Sequence, residues 1–437
     1  VPAACRSRLA VYVPWCALAA TGLTWLACGE TPGMTPMNRA ARCGRVVLGC
    51  ALLAVAVLSP AAVAASGRPN VVLIVCDDLN DYVNGLHGHP QARTPNLERL
   101  AESGVSFTRA YSNNPICAPS RASFLSGIYP HTSRQHFFAK WNHNPVLKNA
   151  RTLPDYFRAN GYHVAGTGKV FHDGSPEEWT EYAHKPDYGP FWYKDGQRVA
   201  HPGVPEPYAT VGPVDGSFGA LEDAPPPARR AAGEGWVYGV WGSPPQYLRD
   251  APGEVVDPTP DERNAAWAAA KIEEFARTEL DKPFFLGVGF IRPHTPLHVP
   301  RRYFDLFPAD TVELPVLKEN DAADTGLAGV VRPDAKGLLL FRLLRESYGG
   351  TLEGLRAFTR AYLASVAAVD ACIGQVVDAV DRSPFRDNTI IVVTSDHGWN
   401  MGQKDWLFKN ALWEASCRVP LVIRAPGVGT QAGKRAG

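Results

Sequence analysis

The sequence has no excess of either charge. Its 44 basic and 43 acidic side chains give a formal net charge of +1 over 437 residues. A protein that binds nucleic acid or an anionic membrane through its overall field carries a strong positive balance. The composition therefore argues against a nucleic-acid partner, and any anion must be recognised by a local cluster. The hydrophobic share of 45% argues against disorder and suffices for one large α/β domain or two smaller ones.

Cysteine is scarce outside the N-terminal segment. Five of the nine cysteines lie within the first 50 residues, and the others are Cys76, Cys117, Cys372 and Cys417. Four thiols in a chain of this length do not make a disulfide framework. Cys372 and Cys417 could pair after export, whereas Cys76 ends an apolar run and is expected to be a small core residue.

The N-terminal segment has the features of an export signal. From Met37 the sequence MNRAARCGRVVLGCALLAVAVLSPAAVAASG has a basic start, an apolar run and small residues suited to cleavage. We predict an export signal at 37–65, cut near Ala64 or Ala65, with residues 1–36 upstream of the true start. The protein would then be periplasmic or secreted. A membrane anchor is the alternative, but the apolar run is short for a spanning helix, so we expect no stable anchor.

From residue 70 onward, strand-like apolar runs alternate with helix-like segments. The strand patterns are NVVLIVC, YHVAGTG, PFFLGVGF, NTIIVVTSD and VPLVIRAP. The helix patterns are LERLAESG, LPDYFRANGY, NAAWAAAKIEEFARTEL and LRAFTRAYLASVAAVDACIGQVVDAV. This alternation predicts an α/β fold with a doubly wound, mainly parallel sheet and helices on both faces.

A segment from about residue 174 to 258 interrupts the alternation. It is rich in proline and glycine and contains the aromatic residues Trp179, Tyr182, Tyr188, Phe191, Trp192, Tyr193, Trp236, Tyr238 and Trp241. Because it is too long for a connector, we predict a surface insertion with a function. Its flat rings, Trp192 and Trp236 among them, could hold the faces of a sugar. The alternative is that the aromatic side chains only pack the insertion onto the domain.

Acidic side chains directly follow two of the predicted strands. Asp77 and Asp78 follow VVLIVC, and Asp396 and His397 follow TIIVVTS. Ligands of an open parallel sheet bind beyond the carboxyl ends of its strands, so we expect the two pairs to meet at one edge. Clustered carboxylates repel unless a cation joins them, and oxygen donors favour calcium or magnesium over zinc. A turn or a helix cap is the alternative reading of the Asp77-Asp78 pair.

Basic side chains follow strands in the same way. Lys169 and His172 come after YHVAGTG, His294 comes after PFFLGVGF, and Lys409 lies beyond the second acidic pair. Each alone is compatible with a solvated lysine or a hydrogen-bonded loop histidine. Together, beside a cation, they suit an anionic ester whose leaving oxygen needs a proton.

The stretch NNPICAPSRASFLSG contains Cys117. A helix beginning at Pro119, a favoured first helical position, would place Cys117 near a positive helix end and beside Arg121. Such a site favours an anion. The alternative is an ordinary buried thiol.

These segments resemble the type I sulfatases. The hallmark of that family is Cys or Ser, any residue, Pro, any residue, Arg, and CAPSR at 117–121 matches it. GYHVAGTGKVFH at 161–172 resembles the second family signature, and NVVLIVCDDL, RPHTPL and SDHGWNMGQKDWLFKN resemble further landmarks. Agreement extends from about residue 69 to 427. KVFH, the Pro-His-x-Pro segment and the Asp-His pair are most similar to the iduronate sulfatase branch, whereas Val164 and Thr167 depart from the usual second signature.

The resemblance implies an alkaline-phosphatase-like sulfatase fold and a matured nucleophile. In this family a separate formylglycine-generating enzyme oxidises the cysteine, here Cys117, to formylglycine before folding. The resemblance further implies a calcium ion bound by Asp77, Asp78, residue 117, Asp396 and His397. Relatives continue into a smaller C-terminal subdomain beyond VPLVIRAPG, so the resemblance also implies that this chain, ending at Gly437, is truncated.

The implied reaction is sulfate ester hydrolysis, with a sulfated saccharide as substrate. Hydrated formylglycine is a geminal diol, and one hydroxyl attacks sulfur while the other later lets the sulfated enzyme collapse. Arg121, Lys169 and Lys409 would hold the sulfate oxygens and the diol. His294 would protonate the leaving alcohol, and His172 would be the base of the second step. The alternatives are a phosphatase or phosphonate hydrolase on the same scaffold, or a non-catalytic binder of sulfated glycans.

Overall fold

The computed structural model describes residues 67–173, 176–239, 244–251, 254–326, 331–427 and 433–436. The export signal predicted at 37–65, the upstream residues 1–36 and Trp241 lie outside these ranges. The catalytic domain, which the sequence predicts over residues 66–437, is therefore described from Gly67 onward, without four short internal segments (174–175, 240–243, 252–253 and 327–330) and without residues 428–432 and 437 near its end.

The described part of the chain contains nine α-helices and seventeen β-strands. The helices are α1 (Pro95–Glu102), α2 (Cys117–Ser126), α3 (Pro130–Ser133), α4 (Leu153–Ala159), α5 (Pro260–Arg277), α6 (Arg301–Phe304), α7 (Lys336–Ser347), α8 (Glu353–Arg382) and α9 (Glu414–Cys417). The strands are β1 (Asn70–Asp77), β2 (Val105–Phe107), β3 (Ala110–Tyr111), β4 (His163–Gly168), β5 (Glu181–Tyr182), β6 (Phe191–Lys194), β7 (Gln197–Val199), β8 (Phe218–Ala220), β9 (Gly235–Val237), β10 (Asp250–Ala251), β11 (Glu254–Val255), β12 (Phe284–Pro293), β13 (Leu297–Val299), β14 (Thr389–Ser395), β15 (Arg418–Val419), β16 (Leu421–Arg424) and β17 (Lys434–Ala436).

Eight strands form one mixed sheet in the order β17, β2, β16, β14, β1, β12, β4, β5. The neighbouring strands β14, β1, β12 and β4 all run parallel. β16, from the predicted strand VPLVIRAP, pairs antiparallel with β14 and with β2. The predicted α/β fold with a mainly parallel sheet is confirmed, and the antiparallel strands lie to one side of the parallel core.

The register of the parallel strands aligns their carboxyl ends. In β1, Val72 lies opposite Leu286 of β12 and opposite Ile391 of β14. At the end of β1, Asp77 lies opposite Pro293. The residues that follow each strand therefore emerge at one edge of the sheet, as expected for a ligand site in this kind of fold.

Helix α8 is the main helix of the core. It is long and apolar enough to cross a membrane by length and composition, but 83% of its most apolar stretch is buried inside the protein. It packs against β12 and against α5. Its apolar character is therefore explained by core packing.

The cysteines of the described residues are free thiols. Cys76, Cys117 and Cys372 are buried and Cys417 is half-buried. The disulfide suggested between Cys372 and Cys417 is therefore not present. Cys76 is a core residue at 0% exposure, as its place at the end of an apolar strand predicts.

Two tryptophans of the insertion, Trp192 and Trp236, pack against each other. Strands β7, β6 and β9 form a small sheet, in which Trp192 of β6 lies opposite Trp236 of β9. Their rings are 5.3 Å apart in an edge-to-face arrangement and are 2% and 0% exposed. The prediction that these two tryptophans hold a sugar is wrong, because their faces are already covered by the insertion itself.

Replacing Trp236 by alanine should lower stability rather than selectively weaken substrate binding. The side chain is fully buried, and its indole N–H donates to the carbonyl of Leu221 at 2.9 Å. Losing a buried tryptophan costs about 3–5 kcal/mol of unfolding free energy. Denaturant unfolding measures that loss, and parallel kinetics on a sulfated saccharide and an aryl sulfate should show no preferential rise of KM for the saccharide. A selective rise with unchanged stability would contradict this packing role.

Candidate active site

Titratable residues lie at the carboxyl ends of four parallel strands, at one edge of the sheet. Asp77 ends β1, Lys169 follows β4, His294 follows β12 and Asp396 follows β14. β4 and β12 approach closely at Gly168, which has a positive φ of 74° and where a Cβ atom would lie 1.9 Å from the carbonyl oxygen of Gly289. Glycine is needed there because an L side chain would be strained and would collide with the neighbouring strand.

Asp78 has the left-handed backbone conformation that non-glycine residues rarely adopt, with φ of 66°. Two hydrogen bonds of its main chain hold this conformation. Its N–H donates to Asp396 Oδ1 at 3.2 Å, and the hydroxyl of Tyr362 donates to its carbonyl at 2.7 Å. Such strain persists only where surrounding contacts impose it, and it is concentrated at functional sites. Here it turns the chain so that Asp78 and Asp77 are both buried at the strand end.

Helix α2 begins at Cys117, two residues before the predicted start at Pro119, with the extended residue Ile116 before it. Pro119 is still in the first turn, where a missing N–H removes no hydrogen bond within the helix. The Cys117 side chain is 1% exposed. Its Sγ lies 3.2 Å from His397 Nε2 and 3.1 Å from Lys409 Nζ. The predicted meeting of the cysteine with the basic and acidic clusters is therefore seen in the structure.

Arg121 lies in the same helix and joins the two acidic strand ends. Its Nε donates to Asp396 Oδ2 at 2.9 Å, and its Nη2 lies 3.4 Å from Asp77 Oδ1. The guanidinium also donates to the main-chain carbonyls of Lys169 and Val170. The side chain is 0% exposed. These contacts support a role in fixing the two carboxylates, and contact of Arg121 with a sulfate oxygen stays a prediction.

Replacing Arg121 by alanine should destabilise the fold by about 3–5 kcal/mol, because it leaves buried carboxylates without their cation. Arg99 offers a matched control, since its ion pair with Asp378 at 2.6 Å is about half-exposed. Arg99→Ala should cost less than about 1 kcal/mol. Urea unfolding of the two variants measures the difference, and equal losses would mean that Arg121 does not hold the acidic strand ends.

Each lysine of the site is paired with one of the adjacent aspartates. Lys169 Nζ contacts Asp77 Oδ2, and Lys409 Nζ lies 2.9 Å from Asp78 Oδ1. Burial would raise the pKa of Asp77, but Lys169, His294 and Arg121 outweigh it and hold this pKa well below its usual value. Burial raises the pKa of Asp78 to about 8, against the lowering effect of Lys409 and His397. The two carboxyls are therefore electrostatically distinct although they are adjacent in the chain.

Four side chains could hold a metal ion between them. Their ligand atoms all lie within 4.8 Å of one another and belong to Asp77, Cys117, Asp396 and His397. Asp78, Cys117 and His294 form a second such group. Three residues of the two groups, Asp77, Asp78 and Asp396, offer carboxylate oxygens, which suit a hard divalent cation. A cation would also favour the ionised form of Asp78, opposing the effect of burial, so the residues present fit a metal site.

The two predicted histidines lie at different depths. His294 is 7% exposed, its Nδ1 lies 2.5 Å from the carbonyl oxygen of Thr295, and its Nε2 lies 3.7 Å from Asp78 Oδ2. His172 is partly exposed, with Nδ1 3.0 Å from Asp173 Oδ1. Both line the cavity that contains Cys117, where His172 contacts Asp173 and the ring of Phe138.

A cavity of about 240 Å³ gives access to Cys117. Its lining residues are Cys117, Phe138, His172, Tyr188, Val214, Asp215, His294, Lys336, Phe408 and Lys409. Sequence reasoning did not assign Phe138, Asp215, Lys336 or Phe408 to the site, and it noted Tyr188 only as one aromatic residue of the insertion. Tyr188 lies between two site residues, with its ring 4.8 Å from Lys169 Nζ and 5.0 Å from the ring of His294. Its position in the insertion was the one available signal.

A mainly parallel α/β sheet with buried carboxylates, lysines and a cysteine at its carboxyl edge defines a protein of the alkaline-phosphatase-like fold class. The model of the Sulfatase family matches residues 69–436. The chain therefore belongs to the sulfatase family.

Two curated relatives and one solved structure illustrate the similarity. A sulfatase of Formosa agariphila is 32% identical over 83% of this chain and 65% of its own length. The iduronate 2-sulfatase of Mus musculus is 30% identical over 82% of this chain and 59% of its own length. The chain thus spans about three fifths of the length of these relatives. The phosphonate monoester hydrolase of Agrobacterium radiobacter superimposes with a TM-score of 0.56 at 25% identity, covering 84% of this chain and 70% of that one.

Proposed function

We propose that this protein hydrolyses the sulfate ester of a saccharide, with formylglycine formed from Cys117 and with a calcium ion. The observation that carries the proposal is the position of Cys117 Sγ, within 3.2 Å of both His397 and Lys409 in a cavity that Cys117 lines. Family membership supports sulfate ester chemistry. The saccharide is supported by the names of relatives that act on sugar sulfates, such as the iduronate 2-sulfatase.

An unmodified thiol at residue 117 is poorly suited to attack an ester. Burial and the charge of Asp77 raise the pKa of Cys117, and the opposing effects of Lys169 and Lys409 do not reverse this. The nucleophilic form of cysteine is the thiolate, which this environment disfavours. Conversion of the side chain would remove the need for a thiolate, because hydrated formylglycine would supply a hydroxyl group as the nucleophile.

Maturation would have to precede folding. Residues 117–121 are all buried within α2. A formylglycine-generating enzyme could reach this tract only in an extended chain. We therefore propose that this partner acts before the chain folds and, from the leader predicted at 37–65, that the protein is exported.

Calcium suits the site because its donors are mainly carboxylate oxygens. Asp77, Asp78, residue 117, Asp396 and His397 would hold the ion. When bound, it would stabilise negative charge on the reacting group. Arg121 would support these ligands by holding the carboxylates of Asp77 and Asp396 in place.

The lysines would bind the sulfate oxygens. Burial lowers the pKa of Lys169, but the charge of Asp77 outweighs this effect and raises it, so the lysine stays charged although it is buried beneath the residues that line the cavity. Lys409 lies between Asp78 and Cys117 and faces the same cavity. A sulfate group above residue 117 would lie beside this charged amine.

His294 is positioned to exchange a proton with the leaving oxygen. The carbonyl of Thr295 accepts from Nδ1–H, which leaves Nε2 for the cavity. Burial, together with Lys409, lowers the pKa of His294 well below its ordinary value. A bound anionic ester would oppose the charge of the lysines and raise that pKa, so protonation of Nε2 would be coupled to substrate binding. His172, oriented by Asp173, remains the proposed base of the second step.

The test is the release of inorganic sulfate from a panel of esters by protein produced with a formylglycine-generating enzyme. The panel contains positional isomers of monosaccharide sulfates, 4-nitrophenyl sulfate, choline sulfate and a phenyl phosphonate monoester. We expect the highest kcat/KM on a saccharide sulfate. Preference for the phosphonate would favour a phosphonate hydrolase, and tight binding of sulfated sugars without turnover would indicate a non-catalytic binder.

A further inference from the structure

An ion pair between two distant parts of the chain lines the cavity. Lys336 is the first residue of α7, and Asp215 lies in the insertion. Their side chains are in contact, and both line the cavity that contains Cys117. We propose that Asp215 and Lys336 determine specificity by binding hydroxyl groups of the sugar ring that carries the sulfate. This inference rests on the proposed sulfatase function and names a part of the same site.

Lys336 is held in place but remains accessible. Its Nζ contacts Asp215 Oδ2 and lies 4.4 Å from the centroid of the Phe408 ring. Its side chain is nevertheless 49% exposed. An ammonium group has three donors, so the contact with Asp215 leaves donors for a ligand.

Asp215 is fixed from the other side. The hydroxyl of Thr295 donates to Asp215 Oδ1 at 2.8 Å, while Lys336 contacts Oδ2. The carboxylate is 15% exposed. Each carboxylate oxygen has two acceptor sites, so both oxygens retain one for a ligand. Because Thr295 follows His294, this contact also sets the distance between Asp215 and the proposed proton donor.

The arrangement matches the chemistry of a sugar ring. A carboxylate and an ammonium group side by side can accept from one hydroxyl and donate to the next, and both bonds gain from the charge. Phe408, against Lys336, and the 62% exposed Phe138 add apolar ring surface to the lining of the same cavity. An aryl sulfate could use the apolar surface but has no hydroxyl groups for the ion pair.

The size of the cavity favours a single ring. Its volume of about 240 Å³ lies below the range of about 300–1,000 Å³ that is typical of sites for drug-sized ligands. The sulfate group of the substrate would lie beside residue 117 and Lys409. The sugar ring that bears the ester would therefore lie next to Asp215 and Lys336. The inference therefore concerns the sugar unit at the cleaved bond, and further units of a longer saccharide would lie outside the cavity.

The experiment compares the variant Lys336→Met with the unmodified protein on two substrates. Methionine keeps an unbranched side chain over Phe408 but removes the donors. We expect KM for the best monosaccharide sulfate of the panel to rise by at least about tenfold, the loss typical of hydrogen bonds to a charged group, and KM for 4-nitrophenyl sulfate to change by less than about threefold. Asp215→Asn should act in the same direction, because asparagine can still accept from Thr295 but loses the ion pair.

The matched control is Lys318→Met. Lys318 forms an exposed ion pair with Asp324 at 2.8 Å and does not line the cavity. The Lys318→Met substitution should change KM neither for the monosaccharide sulfate nor for 4-nitrophenyl sulfate. A second readout is calorimetric binding of the same monosaccharide sulfate to Cys117→Ala protein, with and without Lys336→Met, where the second substitution should weaken affinity by at least about tenfold.

The outcomes separate this inference from the proposed function. Equal changes of KM on both substrates, a fall of kcat alone, or unchanged calorimetric affinity would overturn the role of the ion pair while leaving sulfatase activity in place. Preference of the unmodified protein for 4-nitrophenyl or choline sulfate would overturn the inference together with the saccharide part of the proposed function, and sulfate ester hydrolysis itself would stand. Absence of turnover on every sulfate ester would instead overturn the proposed function, and the inference with it.

Discussion

Replacing Cys117 by alanine is expected to reduce sulfate release by at least about 10⁴-fold, because alanine lacks the thiol group that is oxidised and so cannot be converted to formylglycine. The fold should survive, since only one buried side-chain atom is lost and the stability cost is expected to be within about 2 kcal/mol. Cys117 also lies against Lys409 and His397, whose remaining partners Asp78 and Asp396 stay in place. The measurement is kcat on the preferred sulfate ester beside the thermal unfolding of the same preparation.

Cys372→Ala provides the control for this substitution. Cys372 is also a buried free thiol, but it lies in α8. The control should lose a similar amount of stability and keep its turnover. Retained activity in Cys117→Ala, or equal loss in both variants, would mean that residue 117 is not the source of the nucleophile.

Replacing Asp396 by asparagine is expected to remove the metal ion and to lower kcat/KM by about 10³-fold or more, since metal ions supply several kcal/mol of charge stabilisation in such reactions. Asp396 belongs to the cluster of possible ligands and is also bound by Arg121. Asparagine preserves the shape of the aspartate side chain. It removes the negative charge that pairs with Arg121 and that would bind the metal ion. Elemental analysis for calcium in the purified protein gives the occupancy, and titration of added calcium shows whether activity can be restored.

Asp370→Asn is the matched control for the loss of a buried carboxylate. Asp370 lies in α8 and accepts hydrogen bonds from the N–H groups of Asn96 and Leu97 at the start of α1. Its replacement should reduce stability without reducing calcium content. Full occupancy and normal activity in Asp396→Asn would show that Asp396 is not a ligand.

The acidic and basic clusters could be predicted from the sequence because strand direction fixes where strand ends lie. Asp77, Lys169, His294 and Asp396 each follow a recognisable apolar run, and parallel strands carry such residues to the same edge. The burial of these four charged groups, by contrast, depends on packing across the whole domain and has no signature in the local pattern.

Packing also explains the predictions that were wrong. An aromatic-rich segment indicates ring surface but does not show whether that surface is covered, and Trp192 and Trp236 cover each other. The start of α2 was placed too late because Pro119 can occupy any position of a first helical turn. The contact between Asp215 and Lys336 joins residues 121 positions apart, and neither residue follows a strand of the main sheet.

The central claim is that active protein carries formylglycine at position 117, and the most direct test is mass spectrometry of the peptide that contains this residue. Protein produced with a formylglycine-generating enzyme is divided into fractions of different specific activity, and the peptide is measured in each. The account predicts the mass of formylglycine, in a proportion that rises in step with the rate of sulfate release. Full activity in fractions whose peptide has the mass of unmodified cysteine would contradict it.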